Sequence, residues 1–295
     1  MRYIYGALAT LGLVGSLAVY TLSPQATPAF TLYQEDQFSD YLRYLTRFSK
    51  SYPTKEEFLQ RLSLYKTAVE QIMEVNSANG NEFHLAVNKF ADWTPEEYRR
   101  LLGLKKRREQ LGNGAKELPT DKLPEKVDWR DQGAVNPVQN QAACGSCWTF
   151  CAVAAIEGAH KIKTGELLKL SEQQFVDCCQ IGPSDGCNGG EMWGAFECAK
   201  TKPQMLEADY PYTSAQGEYG KCLYDESKGK VKVTNWWNVM DNDPLQLKTD
   251  TGVEYYIVRN SWGPDWGDQG YIKIGIEAGA GICGIQTGSV WAETE

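Results

Sequence analysis

The chain has 295 residues, of which 42% are hydrophobic and 12% aromatic, and its formal net charge is −8. This length and apolar content can bury a substantial core, which excludes a mainly disordered chain and indicates one or two globular domains. The negative charge argues against a nucleic acid partner.

The beginning of the chain is typical of a secretory signal. Residues 4–22 form an apolar run directly after Met1, Arg2 and Tyr3, so we interpret residues 1–26 as a cleaved signal peptide. The alternative is an uncleaved signal anchor, since about 19 apolar residues can also span a bilayer. We expect no other membrane contact. Either signal sends the chain into the secretory pathway, towards a lysosome, a vacuole or the extracellular space.

The cysteine content agrees with this route. Nine cysteines behind a secretory signal indicate an oxidising compartment and a framework of disulfides. Because nine is an odd number, at least one thiol stays unpaired. Spacing alone does not determine which cysteines pair.

The segment after the signal predicts two helices and a strand. From Glu56 onward, apolar residues recur at intervals of three and four, which predicts an amphipathic helix that ends near Asn79–Gly80. Its apolar positions are Phe58, Leu62, Tyr65, Val69, Ile72 and Met73. Residues 83–90 loosely alternate and predict a short strand. Thr94 followed by Pro95 is typical of a helix start, so a second helix is predicted over residues 95–102.

Residues 105–119 have the composition of an exposed linker. Four basic residues, Lys105 to Arg108, precede Gly112–Gly114 and Leu118–Pro119. The basic run is either a solvated surface segment or a target of a processing protease. We divide the chain here into a first domain of residues 30–123 and a second domain of residues 124–295.

The second domain is predicted to place helices first and strands later. An alanine-rich run predicts a buried helix over residues 147–163, with Gly165 as its C-cap. Ser171 is the predicted start of another helix. Strands are predicted at Tyr255–Val258 and Tyr271–Ile274. Segregated helices and strands indicate two subdomains.

A cysteine opens the first of these helices. Cys147 would lie at the positive end of the helix dipole, which favours the thiolate that a nucleophile requires. Its C-x-x-C spacing from Cys144 also occurs in redox pairs and in halves of zinc sites. No second C-x-x-C and no histidine cluster supports zinc, so we expect no metal ion. No βαβ pattern precedes the motif, as a thioredoxin-like fold would require.

Several motifs together resemble the papain and cathepsin L family of cysteine proteases. They are CGSCW at residues 144–148, Ser171–Gln174, Gly186–Gly190 and Asn260–Gly263, and CGSCW is a signature of that family. The first domain resembles the family's I29-type inhibitory propeptide. The matching positions are Glu57, Arg61, Tyr65, Ile72 and Asn76 on the helix, followed by Asn88, Phe90 and Asp92.

The resemblance implies a fold and a chemistry. The expected fold class is α+β, with a helical left domain and a β-barrel-like right domain, preceded by a helical propeptide. The expected activity is endopeptidase cleavage of polypeptide substrates through an acyl-enzyme, without a cofactor. The propeptide would act as an intramolecular inhibitor of a zymogen, and we expect a monomer.

The resemblance also assigns roles to residues. By position, Cys147 is the nucleophile, Gln141 donates to the oxyanion beside the Cys147 N–H, and Asn260 orients the catalytic imidazole. The implied substrate-binding residues are Gly189 and Gly190 as backbone partners of the peptide, Met192 and Gly288 at the pocket for the second substrate residue, and Trp262 over the catalytic pair.

Disulfides are implied in the same way. By family position we pair Cys144 with Cys187 and Cys178 with Cys222, where Cys179 could replace Cys178. Cys283 is expected to have lost its partner. The two remaining cysteines, Cys151 and Cys198, are either buried free thiols, which we favour, or an extra bridge.

The catalytic histidine that the family requires is absent from its expected position. The chain has two histidines. His160 would lie 13 residues along the helix from Cys147, about 20 Å away at 1.5 Å per residue, and we expect it on the helix surface. His84 belongs to the presumed propeptide. Asn260 follows Cys147 by 113 residues, whereas about 130 to 150 is typical of the family. We therefore expect an internal deletion near residues 248–251 that removed the histidine and several strands.

Three hypotheses follow. The first is a secreted or lysosome-like cysteine protease zymogen. The second, favoured for this particular chain by the missing histidine, is a non-catalytic truncated variant or an inhibitor or binding homologue. The third is a disulfide oxidoreductase that uses Cys144 and Cys147, which predicts that the purified chain reduces insulin.

Overall fold

The computed structural model describes residues 29–78, 84–105, 124, 126–239 and 255–295. The predicted signal peptide at 1–26, most of the linker at 106–119 and the predicted deletion at 248–251 lie outside these ranges. The chain divides into two compact units, residues 1–55 and residues 56–295. In the described ranges, the helices are too short or too polar to cross a bilayer.

The described part of the first unit contains one helix that lies within it, α1, at Ala29–Arg47. Aromatic side chains follow one face of its second half. The ring centroids of Tyr41 and Tyr44 are 5.9 Å apart, and Phe48 lies 5.1 Å from Tyr44. Ring pairs at this spacing add to the free energy gained from burial alone.

The second unit begins with helices α2 at Lys55–Ser77 and α3 at Pro95–Leu101, which confirms both helices predicted there. α3 starts with a capping box: the Thr94 hydroxyl accepts from the Glu97 N–H, and the Glu97 carboxylate accepts from the Thr94 N–H. The Arg61 guanidinium of α2 donates to both carboxylate oxygens of Glu97. This ion pair joins the two helices.

The strand predicted over residues 83–90 is wrong for the residues that the structure describes. Residues 84–88 are irregular and residues 89–92 form turns. The Asn76 side chain accepts from the Leu85 N–H at 2.7 Å and donates to the Leu85 carbonyl at 2.8 Å. A side chain on α2 thus satisfies the backbone groups that a neighbouring strand would otherwise pair.

Three helices build the core of the following domain: α4 at Cys147–Thr164, α5 at Glu172–Cys178 and α6 at Met192–Thr201. The buried face of α4 packs against Phe175 of α5 and Phe196 of α6. α4 ends at Gly165, whose φ of 83° is left-handed and favours glycine. Ser171 caps α5 through a hydrogen bond from the Gln174 N–H. Both predicted helices are confirmed.

Four described strands form two antiparallel pairs. β1 at Val233–Asn238 pairs with β4 at Val290–Thr294, and this sheet packs against α4 and α6. β2 at Tyr255–Arg259 pairs with β3 at Tyr271–Gly275, so both predicted strands are confirmed. In the described ranges these pairs do not join into a closed barrel. The short 3₁₀ turns are Gly186–Asn188, Ser214–Gln216, Glu226–Lys228 and Ile282–Gly284.

The structure contains three disulfides among its described residues. Two of them, Cys144–Cys187 and Cys178–Cys222, are the pairs that the resemblance implies. The third joins Cys179 to Cys198, so the expectation of a free thiol at Cys198 is wrong, because the packing of α6 against α5 brings Cys198 to Cys179. Cys147, Cys151 and Cys283 are unbridged, and the second of these is exposed rather than buried.

Candidate active site

Cys147 is the first residue of α4, and its neighbours hold the start of that helix in place. The preceding Cys144 is bridged to Cys187. The following Trp148 is buried and donates from its indole nitrogen to the Gly186 carbonyl at 3.1 Å. Because both flanking segments are tied to the Gly186–Asn188 turn, the Cys147 thiol has a defined position.

The N–H groups at the start of the helix favour the thiolate, but burial acts against them. Burial raises the pKa of the Cys147 thiol, and it outweighs the opposite effect of hydrogen bonds from the Gly103, Trp148 and Cys147 N–H groups. With residue 103 lying over the thiol, the pKa of Cys147 is thus raised from its ordinary value rather than depressed, as the sequence had suggested. The thiol is protonated at neutral pH, and attack on a carbonyl requires a base that removes its proton.

Gln141 is fully buried beside this cysteine. Its Nε2 donates to the Cys144 carbonyl at 2.9 Å and to the Leu101 carbonyl at 3.0 Å. Its Oε1 accepts from the Ser261 hydroxyl at 2.7 Å. The Cys144 carbonyl, which can only accept, fixes the amide with the nitrogen towards the cleft. The side chain predicted to bind an oxyanion thus binds the carbonyl oxygen of Leu101, the last residue of α3.

Residues 101–104, which begin with the last residue of α3, pass through the cleft, and we call them the crossing segment. The segment turns at Leu102, because the Gly103 N–H donates to the Leu101 carbonyl at 3.0 Å. The Gly190 N–H donates to the Gly103 carbonyl at 2.8 Å, and Leu104 forms a parallel bridge with Gly190. Gly103 passes so close to Gly145 that a Cβ at residue 103 would lie 1.9 Å from the Gly145 carbonyl oxygen. Glycine is therefore the residue that fits at the point where the segment passes Gly145, two residues before Cys147.

Asn260 follows β2 and shares a cavity with Cys147. Its side-chain oxygen accepts from the Ser261 N–H at 2.8 Å, and its backbone N–H donates to Gly270. The cavity has a volume of about 100 Å³, and none of the described residues that line it is a histidine. The lining residues are Gln139, Cys147, Phe150, Cys151, Ala154, Glu172, Arg259, Asn260 and Ser261.

Both histidines lie elsewhere. His84 is exposed in the first domain, and His160 lies far along α4. His160 is half-buried rather than a plain surface residue. Neither lines the cavity of Cys147.

Trp262 joins this site to the propeptide segment. Its ring lies 5.1 Å from Phe90 and 5.8 Å from Tyr98 in edge-on geometry, and the Lys89 ammonium donates to its carbonyl at 2.5 Å. On the other side it contacts Trp266 at 5.2 Å. Trp262 thus anchors residues 89–98 next to the cleft.

The remaining predicted site residues are Gly189, Met192 and Gly288, and none of them lines the cavity of Cys147. Gly189 is buried, and a Cβ there would lie 2.4 Å from the Gly103 carbonyl oxygen. Met192 is half-buried and packs against the helical core. Gly288 precedes β4 with a φ of 67°. The role of Met192 and Gly288 in a separate substrate pocket stays a prediction.

Several site residues were not predicted from the sequence. Tyr212 donates to the Gln141 carbonyl at 2.9 Å and lies 2.8 Å from the Ser146 hydroxyl. Glu172 lines the cavity, and burial raises its pKa to about 7. Cys151 lies one helical turn after Cys147, a spacing that the sequence alone could have pointed out.

Comparison with known proteins identifies the family. The model of the papain family cysteine proteases matches residues 123–251 and again residues 245–292. The chain belongs to the papain family. A second model, the cathepsin propeptide inhibitor domain (I29), matches residues 41–98. A papain-like cysteine peptidase with an inhibitory propeptide, as the motifs indicated, is thus confirmed at the level of the family.

Relatives within the papain family cover most of the chain. "Cysteine proteinase 1" of Zea mays is 38% identical over 303 aligned positions, which take up 80% of this chain and 81% of that protein. "Cysteine proteinase 15A" of Pisum sativum is 36% identical over 310 positions and 84% of each protein.

Solved papain-family zymogens share the fold. The recombinant stem bromelain precursor superposes with a TM-score of 0.77 at 27% identity, over 88% of this chain and 99% of that one. Procathepsin L2 from the larval midgut of Tenebrio molitor gives a TM-score of 0.78 at 26% identity, over 87% and 99%. The expected papain-like α+β fold with a helical propeptide is confirmed.

Proposed function

We propose that this chain is the zymogen form of a cysteine endopeptidase, with Cys147 as nucleophile, and that it is catalytically impaired because no histidine stands beside that thiol. The observation that carries the proposal is the crossing segment. The backbone of this segment lies against Cys147. Its Leu101 carbonyl accepts from the Gln141 side chain, and its Gly103 carbonyl accepts from the Gly190 N–H. The cleft therefore holds polypeptide backbone next to a thiol.

The ancestral reaction follows from these positions. The Cys147 sulfur attacks a peptide carbonyl carbon, and the oxygen takes negative charge between the Gln141 amide and the Cys147 N–H, donors of a kind worth roughly 3 to 4 kcal/mol. The C–N bond then breaks, the amine leaves with a proton, and water hydrolyses the thioester. Asn260 would orient the imidazole that moves this proton. None of the described residues that line the cavity supplies such an imidazole to the Cys147 thiol.

The crossing segment supports an inhibitory role for residues 30–123. The Leu101 carbonyl accepts the hydrogen bond of the Gln141 amide, and Gly103 covers the Cys147 thiol. A substrate therefore cannot reach either group while the segment is bound. Removal of this domain would leave residues 124–295 as the peptidase domain. We propose that the mature domain is monomeric and resides in a lysosome, a vacuole or the extracellular space, on the basis of the signal-like run, the disulfides and the plant cysteine proteinase relatives.

Two features of the comparisons support an internal deletion. The two family matches meet at residues 245–251, where the sequence indicated the junction. In addition, the alignment with the maize protein spans 303 positions but takes up only 80% of the 295 residues, or about 236. About 67 positions of the relative thus have no counterpart within this alignment.

The proposal is tested by comparing two proteins after acid maturation. One is the chain as it stands, and the other carries between residues 248 and 251 the segment that transcript sequencing across this junction reveals. We expect the restored protein to cleave a fluorogenic peptide at least about 10⁴-fold faster, because loss of one member of a catalytic triad typically costs that much. Cys147→Ala in the restored protein is the control and abolishes cleavage.

Equal cleavage by both proteins, dependent on Cys147, would refute the impairment. Absence of Cys147-dependent cleavage in the restored protein would refute the endopeptidase assignment itself. Transcripts without an intervening segment would instead favour the second candidate, a peptide-binding homologue without turnover. The observation that favours this candidate is that Gln141 and Gly190 bind backbone groups without any proton transfer.

The third hypothesis, a disulfide oxidoreductase, loses its basis in the structure. Cys144 is bonded to Cys187 and not to Cys147. The C-x-x-C motif is therefore not a redox pair here, and we expect the purified chain not to reduce insulin.

A further inference from the structure

Two unbridged thiols lie about one helical turn apart at the start of α4. Cys147 is the first residue of the helix and Cys151 follows four residues later, a spacing that places side chains on the same helix face. Both line the cavity of about 100 Å³. Cys151 is exposed to solvent, so the cavity can be reached from outside even while the crossing segment covers Cys147.

Helix geometry decides what this pair can do. Cβ atoms at positions i and i+4 are about 5 to 6 Å apart, whereas a disulfide needs about 3.8 Å between them. A bridge between Cys147 and Cys151 would thus distort the first turn of α4, which the Cys144–Cys187 bond and Trp148 hold in place. A metal ion has a longer reach: with bonds of about 2.3 Å and tetrahedral angles, it holds two sulfurs about 3.8 Å apart. This separation is well above the S–S bond length of about 2.05 Å in a disulfide, so an ion requires less movement of the two side chains.

We propose that Cys147 and Cys151 together bind one soft divalent cation of the zinc and cadmium class. Thiolate ligands select such ions over the hard cations magnesium and calcium. The two sulfurs supply two ligands, and water enters the remaining positions from the open side at Cys151. The ion replaces the thiol protons and neutralises both thiolates, which offsets the cost of placing a cation near Arg259.

The other cavity residues fit this occupancy. The Arg259 guanidinium donates to the Asn136 carbonyl at 2.7 Å and is thereby held at the cavity wall. The Glu172 carboxylate lines the same cavity on the α5 side and is paired with Lys169. The bound ion would hold Cys147 as a metal thiolate, unable to attack a carbonyl. This site needs no catalytic histidine, so it is independent of the proposed peptidase activity.

The test uses the full chain with its disulfides intact and Cd²⁺ as the probe. We expect one Cd²⁺ per chain in equilibrium dialysis, with a thiolate-to-cadmium charge-transfer absorption. Cys151→Ser and Cys147→Ser should each weaken binding at least tenfold, whereas Cys283→Ser, which removes the third unbridged thiol, should leave it unchanged. Tight binding that survives Cys151→Ser, or that is lost in Cys283→Ser, would overturn the proposal.

A second measurement needs no variant and covers the case in which a substitution prevents folding. The unsubstituted chain is alkylated with iodoacetamide with and without Cd²⁺, and the labelled peptides are quantified by mass spectrometry. We expect Cd²⁺ to protect Cys147 and Cys151 together and to leave Cys283 labelled. Protection of Cys147 without Cys151, or of neither, contradicts a shared ion.

Discussion

Replacing Glu97 by Gln removes the charge from the ion pair that joins α2 to α3. The structure makes this substitution specific. The Glu97 carboxylate both binds Arg61 and accepts from the Thr94 N–H in the capping box, and glutamine at this position retains a capping box. Arg61 keeps its contacts with Glu57 and with the Asp92 carbonyl. The change in stability therefore reports the charge of Glu97.

The expected magnitude follows from the pKa. The hydrogen bonds from Arg61 lower the pKa of Glu97 from 4.5 to about 2. Each pKa unit corresponds to about 1.4 kcal/mol, which gives about 3 kcal/mol for the ionised form. Because the Glu97 side chain is 29% exposed, solvent screening reduces this to about 2 kcal/mol. We expect the free energy of unfolding at pH 7 to fall by about 2 kcal/mol in Glu97→Gln.

The pH dependence has a definite sign. Since the folded pKa of Glu97 lies below its unfolded value, the stabilisation is complete above pH 4.5 and is lost as the pH falls through about 2. The difference between the two proteins should be the same at pH 7 and pH 5, and should close only below about pH 4.5. Mild acid therefore does not loosen the propeptide helices through this pair.

Urea unfolding followed by tryptophan fluorescence measures both quantities. The matched control is Glu96→Gln on the same helix, because Glu96 pairs with Arg99 at 66% and 65% exposure and exposed pairs contribute less than about 1 kcal/mol. A difference for Glu97→Gln no larger than that of the control at pH 7 would contradict the reasoning, as would a difference already closed at pH 5.

Three further predictions concern the crossing segment and the disulfides. Gly103→Ala brings a methyl group against the Gly145 carbonyl and should displace the crossing segment, so alkylation of Cys147 should accelerate. The control is Leu104→Ala, at a side chain that is 65% exposed, which should leave the rate of alkylation unchanged. Equal alkylation rates in the two variants would contradict the close approach. Alkylation without reduction should label Cys147, Cys151 and Cys283 alone, and peptide mapping that finds Cys198 labelled would disprove the third bridge. Cys222→Ser opens a loop of 44 residues and should lower the free energy of unfolding by about 4 kcal/mol, so a loss below about 1 kcal/mol in chemical denaturation would refute the Cys178–Cys222 pairing.

Helix ends were predictable because their signals are local. The hydrogen bonds that cap each helix end join residues no more than four positions apart. Such ends are marked by Thr94 with Pro95, by Ser171 and by Gly165. The strand predicted near Leu85 failed for the opposite reason. Its partner is the side chain of Asn76 on α2, and no alternation within residues 83–90 carries that information.

The candidate site likewise combines features that local motifs predict with features that depend on distant residues. Motif resemblance located Cys147, Gln141 and Asn260, but the groups that orient them come from far along the chain. Ser261 lies 120 residues from Gln141, and Tyr212 lies 71 residues from it. The Cys179–Cys198 bridge was missed because Cys178 and Cys179 are adjacent, so their spacings to any partner are nearly the same. The packing of α5 against α6 determines which of the two bonds to Cys198.

The Cys144 carbonyl determines which end of the Gln141 amide faces the cleft, because it can only accept and therefore requires the amide nitrogen. Turned by half a rotation, the amide would present oxygen to a carbonyl oxygen, and attraction would become repulsion. One backbone carbonyl therefore determines that the Gln141 side chain offers a hydrogen-bond donor to a bound main chain. Recognition of this kind consumes no proton and needs no base, so in this molecule the capacity to hold a polypeptide is separable from the capacity to cut it.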